Sequence, residues 1–220
     1  MEKVHTYAIK RLLSVPLHSS NKMFFGETGR YPLFLKTQMK CIKYWLKLIQ
    51  LPMSRLCKQA YEMLLVQQDL GKQNWAYFVK KMLTMHGFGI VWMCQGVGYE
   101  QGFLSEFKDR LIDSYKQDWH AQMEESEKYE WFLSFKSIFQ VEKYIKIVTN
   151  KWHRSNLVRF RLRALGLNAT RRWFYSNTSA HSTCPMYDAE IEDEMHFLFI
   201  CKAYDNIRQK MYTLQGGHFK

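Results

Sequence analysis

Apolar residues recur at a helical period over much of the chain, and this pattern decides the class of fold. Within residues 35–49, the apolar positions on one side of a helix with 3.6 residues per turn are Leu35, Met39, Ile42, Leu46 and Ile49. In a strand these positions would be divided between opposite faces. Hydrophobic residues make up 47% of the sequence, enough to bury a core, which argues against a disordered chain. The pattern predicts a mostly α fold, an irregular helical bundle.

The same period continues between glycine-rich breaks, the first of them expected at residues 26–32. Further helices are predicted at residues 53–68, 73–86, 101–125, 128–139 and 143–165, with shorter ones from Glu192 and from Ala203. The composition shifts after Arg172 to small polar residues, which favours a domain boundary there. We expect a helical domain with a basic surface at 1–175, a small unit at 176–214 and a tail at 215–220.

Positive charge is both abundant and segregated along the chain. The 220 residues include 32 Lys and Arg against 20 Asp and Glu, a formal net charge of +12. No acidic residue occurs at 28–61 or at 143–187. Segregation of this kind favours a polyanionic partner, nucleic acid before an anionic membrane surface. A basic surface that only keeps the protein in solution is the alternative.

Two basic tracts supply the candidate nucleic-acid contacts. In the first, lysines repeat at helical spacing about 100° around the helix from the apolar side, where they either track phosphates or form a solvated face. In the second, cations alternate with Trp152, Phe160 and Trp173, so that guanidinium and indole groups are available to phosphates and unstacked bases. We expect these three aromatic side chains to lie in the core. The candidate contacts are Lys36, Lys40, Lys43, Lys47, Lys151, Arg154, Arg159, Arg161, Arg163, Arg171 and Arg172.

The sequence lacks the motifs of common nucleotide-processing enzymes. Gly96, Gly98 and Gly102 follow an apolar run, but the last interval is one residue too long for a dinucleotide-binding loop, so a turn is the better interpretation. Neither an adjacent aspartate pair nor a nucleophile elbow nor a P-loop is present. We therefore predict a protein that is not an enzyme, with no catalytic residues and no small-molecule substrate.

The apolar runs and the cysteines of the sequence indicate the cellular compartment of the protein and whether it spans a membrane. Charges interrupt every apolar run well before the ~18 residues that a membrane span needs. The five cysteines are odd in number and scattered, as is typical of a reducing compartment. We expect an intracellular protein of the nucleus or cytoplasm that is not secreted, with RNA or DNA as its partner and no membrane.

The most specific chemical pattern lies near the C-terminus, at the spacing of a Cys-Cys-His-Cys zinc knuckle. Cys184, His196 and Cys201 stand at three ligand positions, while Tyr187 stands where the second cysteine belongs. Thiolate and imidazole groups on a tight turn and a following helix can close a tetrahedron around Zn²⁺. Tyrosine is a poor fourth ligand at neutral pH, because its phenol ionises near pKa ~10. The bundle is therefore expected to end in a small zinc-knuckle-like unit.

Three interpretations of this pattern stay open. The first is a weakened zinc site completed by water or by a nearby donor such as His181 or Asp188. The second is a lost site, in which apolar packing of Phe197, Leu198 and Ile200 holds the fold. The third is that no site was ever present.

Five segments, taken in order, carry a resemblance to a known family. They lie at 26–33, 41–48, 87–98, 107–111 and 184–205. In this order they resemble the C-terminal region of LINE-type non-LTR retrotransposon polyproteins, over nearly the whole chain. The resemblance implies a region downstream of the reverse transcriptase domain that ends in a Cys-Cys-His-Cys knuckle and helps to hold template RNA or target DNA. It also implies that Cys184, His196 and Cys201 match three of the knuckle ligands.

The resemblance and the charge pattern together predict a non-catalytic nucleic-acid-binding segment, because the polymerase and endonuclease of such polyproteins lie in other regions. The main alternative is a helical protein-interaction or structural module whose charge is incidental. A decayed fragment without selected function is a third. Salt dependence separates the first two, since phosphate contacts weaken steeply with ionic strength whereas apolar docking does not.

Overall fold

The computed structural model describes residues 1–169 and 182–216, apart from the side chains of 187–190 and 214–216. It is mostly α-helical, which confirms the predicted fold class. The helices are α1 (Glu2–Leu12), α2 (Asn21–Thr28), α3 (Leu33–Ile49), α4 (Leu56–Asp69), α5 (Trp75–Met85), α6 (Gly89–Met93), α7 (Glu100–Glu124), α8 (Glu130–Leu133), α9 (Lys143–Ile147), α10 (Lys151–Arg161) and α11 (Asp205–Gly216).

Short irregular elements complete the fold, and most of them lie near its C-terminal end. Strands β1 (Thr183–Cys184) and β2 (Tyr187–Ile191) pair antiparallel, and a π-helical turn follows at His196–Ile200. Turns of 3-10 helix lie at Glu127–Tyr129 and Lys202–Tyr204.

The chain is divided into two compact units. The central unit consists of Met1–Glu2 and Tyr31–Gln122, and the terminal unit consists of Lys3–Arg30 and Met123–Lys220. The domain boundary predicted at residue 175 lies outside the described residues. Helix α11 continues to Gly216, two residues into the predicted tail, and 217–220 also lie outside the described set.

An aromatic cluster forms the core of the central unit. Trp45 of α3 is fully buried and stacks on Trp92 of α6, with ring centroids 5.8 Å apart. Its indole Nε1 donates a hydrogen bond of 2.9 Å to the Tyr61 hydroxyl, which donates in turn to the Gln95 side chain at 2.6 Å. The polar atoms of the cluster are therefore paired in an interior where an unpaired donor would be costly.

The apolar side of α3 faces this cluster, as its period predicts. Leu35, Ile42 and Leu46 are buried, and Met39 and Ile49 are partly buried against the same core. The predicted apolar side of α3 is therefore confirmed. The opposite side of the helix is exposed to solvent.

A buried ion pair joins α2 to α10 in the terminal unit. Glu27 is completely buried, and Arg161 donates to both of its carboxylate oxygens, Nε at 2.5 Å and Nη2 at 3.2 Å. The Arg161 guanidinium lies 4.4 Å from the centroid of the Phe135 ring, and the Tyr144 hydroxyl donates to the same carboxylate. Burial and the adjacent Glu27 charge raise the pKa of Tyr144, so its phenol stays protonated as a donor.

The end of α2 is a position that only glycine fits. Gly29 has a φ of +60°, and a Cβ on it would lie 2.3 Å from the backbone nitrogen of Val141. Thr28 forms an antiparallel bridge with Val141, and the Glu142 backbone nitrogen donates to the Glu27 carbonyl at 3.0 Å. This close backbone approach holds the segment before α9 against α2.

The single helix predicted at 143–165 is wrong, because the chain forms α9 and α10 with a break between them. Val148 is extended, with φ −74° and ψ 101°. The Asn150 side chain then accepts hydrogen bonds from the backbone nitrogens of Trp152 and His153, at 2.9 and 3.1 Å. Such an N-cap satisfies donors that a new helix leaves without partners.

The helix predicted at 128–139 is also wrong, since only a 3-10 turn and the four-residue α8 form there. The Ser134 hydroxyl donates to the Trp131 carbonyl at 2.7 Å, a local bond that competes with helix continuation. The break expected at 26–32 begins later than predicted, because Gly26 lies inside α2. Helices α1 and α2 and the strand pair had no sequence prediction.

Candidate metal centre

A short hairpin positions the first candidate ligand. Cys184 ends β1, and after a two-residue turn its Cα partner is Tyr187, the first residue of β2. Asn168 ties this hairpin to the end of the basic tract, because its side-chain amide donates to the Thr183 carbonyl at 3.0 Å. The Asn168 backbone nitrogen also donates to the Glu192 carboxylate at 2.8 Å. These bonds fix the hairpin at both of its ends.

A π-helical turn positions the other two candidate ligands. The backbone nitrogen of His196, its first residue, donates to the Asp193 carboxylate at 2.7 Å. The Cys201 backbone nitrogen donates to the His196 carbonyl at 2.7 Å, which closes the wide turn. Arg208 of α11 donates to the Cys201 carbonyl and, at 3.4 Å, to the Leu198 carbonyl. Asp193 and Arg208 therefore cap opposite ends of the turn.

The three ligands converge on one buried point. One ligand atom each from Cys184, His196 and Cys201 lies within 4.8 Å of the others, and the residues are 2%, 3% and 1% exposed. The two Sγ atoms are 3.8 Å apart. Two thiolates on a tetrahedral zinc ion with bonds of about 2.3 Å lie roughly 3.8 Å apart, so the sulfur spacing fits such a site. These residues could hold a metal ion.

The protonation of the Cys201 thiol depends on whether the site holds a metal ion. Burial raises the pKa of the Cys201 thiol, while a hydrogen bond from the Ala203 backbone nitrogen acts in the opposite direction. A buried thiol therefore keeps its proton without a metal. A bound divalent cation reverses this preference, because a coordinating thiol loses its proton to the ion's field.

The fourth ligand position is not assigned by the described residues. The Tyr187 backbone lies opposite Cys184, but its side chain is outside the described set, as are His181 and the Asp188 side chain. Two soft thiols and one imidazole form a donor set that zinc accepts, with one position open to water or another donor. The geometry is compatible with a three-ligand site.

Sequence reasoning missed the residues that support this centre. Glu194 is 1% exposed and pairs with Arg163, whose Nε and Nη2 both lie 3.1 Å from Oε2. Only Asp193 carried a local signal, since it stands three residues before His196 as an N-cap acceptor does. The contacts of Asn168 and Arg208 join segments whose sequences give no sign of one another.

The lysines of the first basic tract lie on the solvent side of α3. Lys36, Lys40, Lys43 and Lys47 are all exposed. Within the described parts of the chain, none of the four forms an ion pair. The predicted stripe therefore exists as a surface of charged groups.

Several arginines of the second tract bind within the protein. Arg161 pairs with buried Glu27, and Arg163 pairs with buried Glu194. Arg159 donates through Nε to the Ser14 carbonyl at 2.8 Å, and Arg154 donates to the Val148 carbonyl at 3.1 Å. Lys151 is exposed at the start of α10, while Arg171 and Arg172 lie outside the described residues. Nucleic-acid contact by these side chains stays a prediction.

The aromatic residues of the second tract differ in their environment. Phe160 packs edge-on against Trp131, with ring centroids 5.4 Å apart. Trp152 is 69% exposed, so the expectation that it lies in the core is wrong. The buried positions of α10 are Ser155 and Val158, and Trp152 lies about 90° around the helix from the face they define. Trp173 is outside the described residues.

Comparison with protein-family models, curated proteins and solved structures found no match. Across residues 1–169 and 182–216, no helix combines the length and the apolar character needed to cross a membrane.

Proposed function

We propose that this protein is a non-catalytic nucleic-acid-binding segment whose terminal unit is held together by zinc, of the kind found in the C-terminal region of LINE-type retrotransposon polyproteins. The observation that carries the proposal is the convergence of Cys184, His196 and Cys201 on one buried point. Ligands of this type and order also carry the resemblance to the knuckle of that region. Zinc supplies structure in such a site and no chemistry on the nucleic acid.

Phosphate contact is assigned to the lysine stripe of α3, defined by Lys36, Lys40, Lys43 and Lys47. At a helix rise of 1.5 Å per residue the stripe is about 16 Å long, which lets it follow several successive phosphates. Long exposed lysine side chains on an acid-free segment release counterions when they meet a polyanion, which gives affinity without sequence preference. Tyr44, 52% exposed on the same helix, adds an aromatic group close to these charges.

The test replaces the four stripe lysines together by glutamine. We expect weaker binding of single-stranded RNA and DNA, and a plot of log affinity against log salt that is shallower by roughly 2 to 3. The matched control removes four other exposed lysines of the central unit, Lys72, Lys80, Lys81 and Lys108, and is expected to change the slope by less than about 1. Fluorescence anisotropy across a salt series measures both variants.

Equal slopes for the stripe variant and its control would remove α3 from the binding surface. A parent protein that shows no salt-dependent binding of either nucleic acid would overturn the proposed function itself. Primer extension or nicking that survives purification and disappears on a point substitution would contradict its non-catalytic part.

A helical protein-interaction module is the second candidate, and one surface favours it. Leu56, Met63 and Val66 of α4 and Leu70, the residue that caps its end, are 80%, 65%, 61% and 75% exposed. Their intervals of seven, three and four residues are those of a coiled-coil seam. If this seam is the functional surface, Met63→Glu with Val66→Glu abolishes partner binding, high salt leaves it unchanged, and the α3 stripe variant has no effect.

A further inference from the structure

A cleft beside α10 combines an exposed indole with cations. It has a volume of about 380 Å³ and is lined by Ser14, Lys151, Trp152, Ser155, Asn156 and Arg159. All of these except Ser14 belong to α10, and all lie in the terminal unit. Neither the metal centre nor the α3 stripe uses any of them.

The lining residues of α10 fall on one face of the helix. Trp152, Asn156 and Arg159 are separated by four and three residues, the intervals that place side chains one above another. The Trp152 indole is 69% exposed, unusual for so large an apolar group. It is therefore a largely exposed ring that lines the cleft, and the neighbouring His153 ring meets it edge-on, with ring centroids 5.2 Å apart.

Polar side chains of the cleft still have atoms that can form hydrogen bonds with a ligand. The Nε of Arg159 is fixed by the Ser14 carbonyl at 2.8 Å, and its Nη groups have no partner in the described part of the chain. The Asn156 amide has no partner among these residues either, so it offers a donor and an acceptor. Lys151 is exposed next to Trp152. No acidic residue occurs between 143 and 187, so the charged residues of α10 itself are all cations.

We propose that this cleft binds one unpaired nucleotide of a single strand, with its base stacked on Trp152, its edge at Asn156 and its phosphate at Lys151 and Arg159. The inference rests on the proposed function and deepens it, because it specifies single-stranded over duplex nucleic acid. Base stacking on an aromatic ring is strong and tolerant of sequence. In a duplex the bases are already stacked on each other, so the cleft favours strands whose bases are unpaired.

The experiment compares Trp152→Ala with the parent on three probes: a uridine oligomer, a thymidine oligomer, and an abasic deoxyribose-phosphate oligomer of equal length. We expect Trp152→Ala to weaken binding of both base-bearing oligomers by about 5-fold to 100-fold. Binding of the abasic oligomer should change by less than about 2-fold, since it offers phosphates but no base to stack. Comparison of the uridine and thymidine arms tells whether the cleft prefers RNA or DNA.

Three further variants serve as controls. Trp152→Phe retains a ring and is expected to recover much of the affinity, whereas Trp152→Leu retains apolar volume without stacking and is expected to behave like Trp152→Ala. Tyr212→Ala removes an aromatic side chain that is 60% exposed on α11, and it should leave all three affinities unchanged. Thermal unfolding of each variant close to that of the parent verifies that the fold is intact.

The outcomes separate this inference from the function on which it rests. Unchanged affinity of Trp152→Ala and Trp152→Leu for the base-bearing oligomers, in a parent that still shows salt-dependent binding, overturns the cleft and leaves the function standing. Equal losses on base-bearing and abasic oligomers overturn stacking as the mode of contact. A parent that binds none of the probes overturns both.

Discussion

Tyr187 is the residue that most limits the chemistry of this protein. It is the Cα partner of Cys184 across a two-residue turn. Directly opposed residues of an antiparallel pair carry Cβ atoms about 4.5–5.5 Å apart, a spacing at which two thiolates can share one zinc ion. We expect Tyr187→Cys to convert weak zinc binding into tight binding of one ion per chain and to raise the melting temperature when zinc is present. Metal analysis and thermal unfolding with and without zinc measure both effects.

The control for this variant carries Cys184→Ala in addition to Tyr187→Cys. It restores the ligand count of the parent, so its zinc affinity should fall back to the parent's level. Should Tyr187→Cys take up no more zinc than the parent, position 187 does not face the other ligands. The terminal unit would then gain no stability from a fourth ligand, and packing such as the edge-on contact of Phe197 and Tyr204, whose ring centroids are 5.0 Å apart, would be the same as in the parent.

Helix α10 shows how a basic element can serve the fold and the surface at once. Its exposed start holds Lys151 and Trp152, while its end holds Arg161 against fully buried Glu27. Arg161→Ala is expected to lower the free energy of unfolding by about 3–5 kcal/mol, because it leaves a buried carboxylate without its counterion. Lys151→Ala, at an exposed position without such a partner, should cost less than about 0.5 kcal/mol. Denaturant unfolding measures both variants.

A double variant tests the cause of the expected loss of stability in Arg161→Ala. Arg161→Met combined with Glu27→Gln removes both charges, and it should recover a large part of the lost stability. If Arg161→Ala proved as stable as the parent, the ion pair would contribute nothing to folding. Weaker nucleic-acid binding by an unstable Arg161→Ala protein reports unfolding, so variants of the exposed cations are the sound test of binding.

The elements that could be predicted from the sequence are those whose apolar period is long and local. Helix α3 was predicted at 35–49 and lies at Leu33–Ile49, because buried Ile42 and Leu46 dominate its pattern. The break before α10 was missed because apolar positions continue across it, although Asn150 is a typical N-cap residue. The three candidate metal ligands could be found from residue type and spacing. The pairing of Arg163 with Glu194, 31 residues apart, could not, since no local pattern records a long-range ion pair.

The whole molecule consists of two compact units, and the candidate metal centre belongs to the terminal one. A metal that binds only the folded state stabilises the part of the protein that unfolds together with its ligands. At a zinc concentration 100 times the dissociation constant, this contribution is about 2.7 kcal/mol. The segments of the chain that become more stable when zinc binds therefore show whether the two units unfold separately or as one.

We expect metal removal to loosen the terminal unit and to leave the central unit unchanged. Addition of a chelator should accelerate amide hydrogen exchange up to about 100-fold in the hairpin at 183–191 and the turn at 196–200, while exchange in α3 and α5 stays the same. Mass spectrometry of peptides from one sample follows both units together, and Cys201→Ser provides a control that should no longer respond to chelator. Equal acceleration in both units would show that they unfold as one. A parent whose exchange is indifferent to both zinc and chelator would show that Cys184, His196 and Cys201 bind no metal in solution, and the terminal unit would then depend on packing and on its buried ion pairs alone.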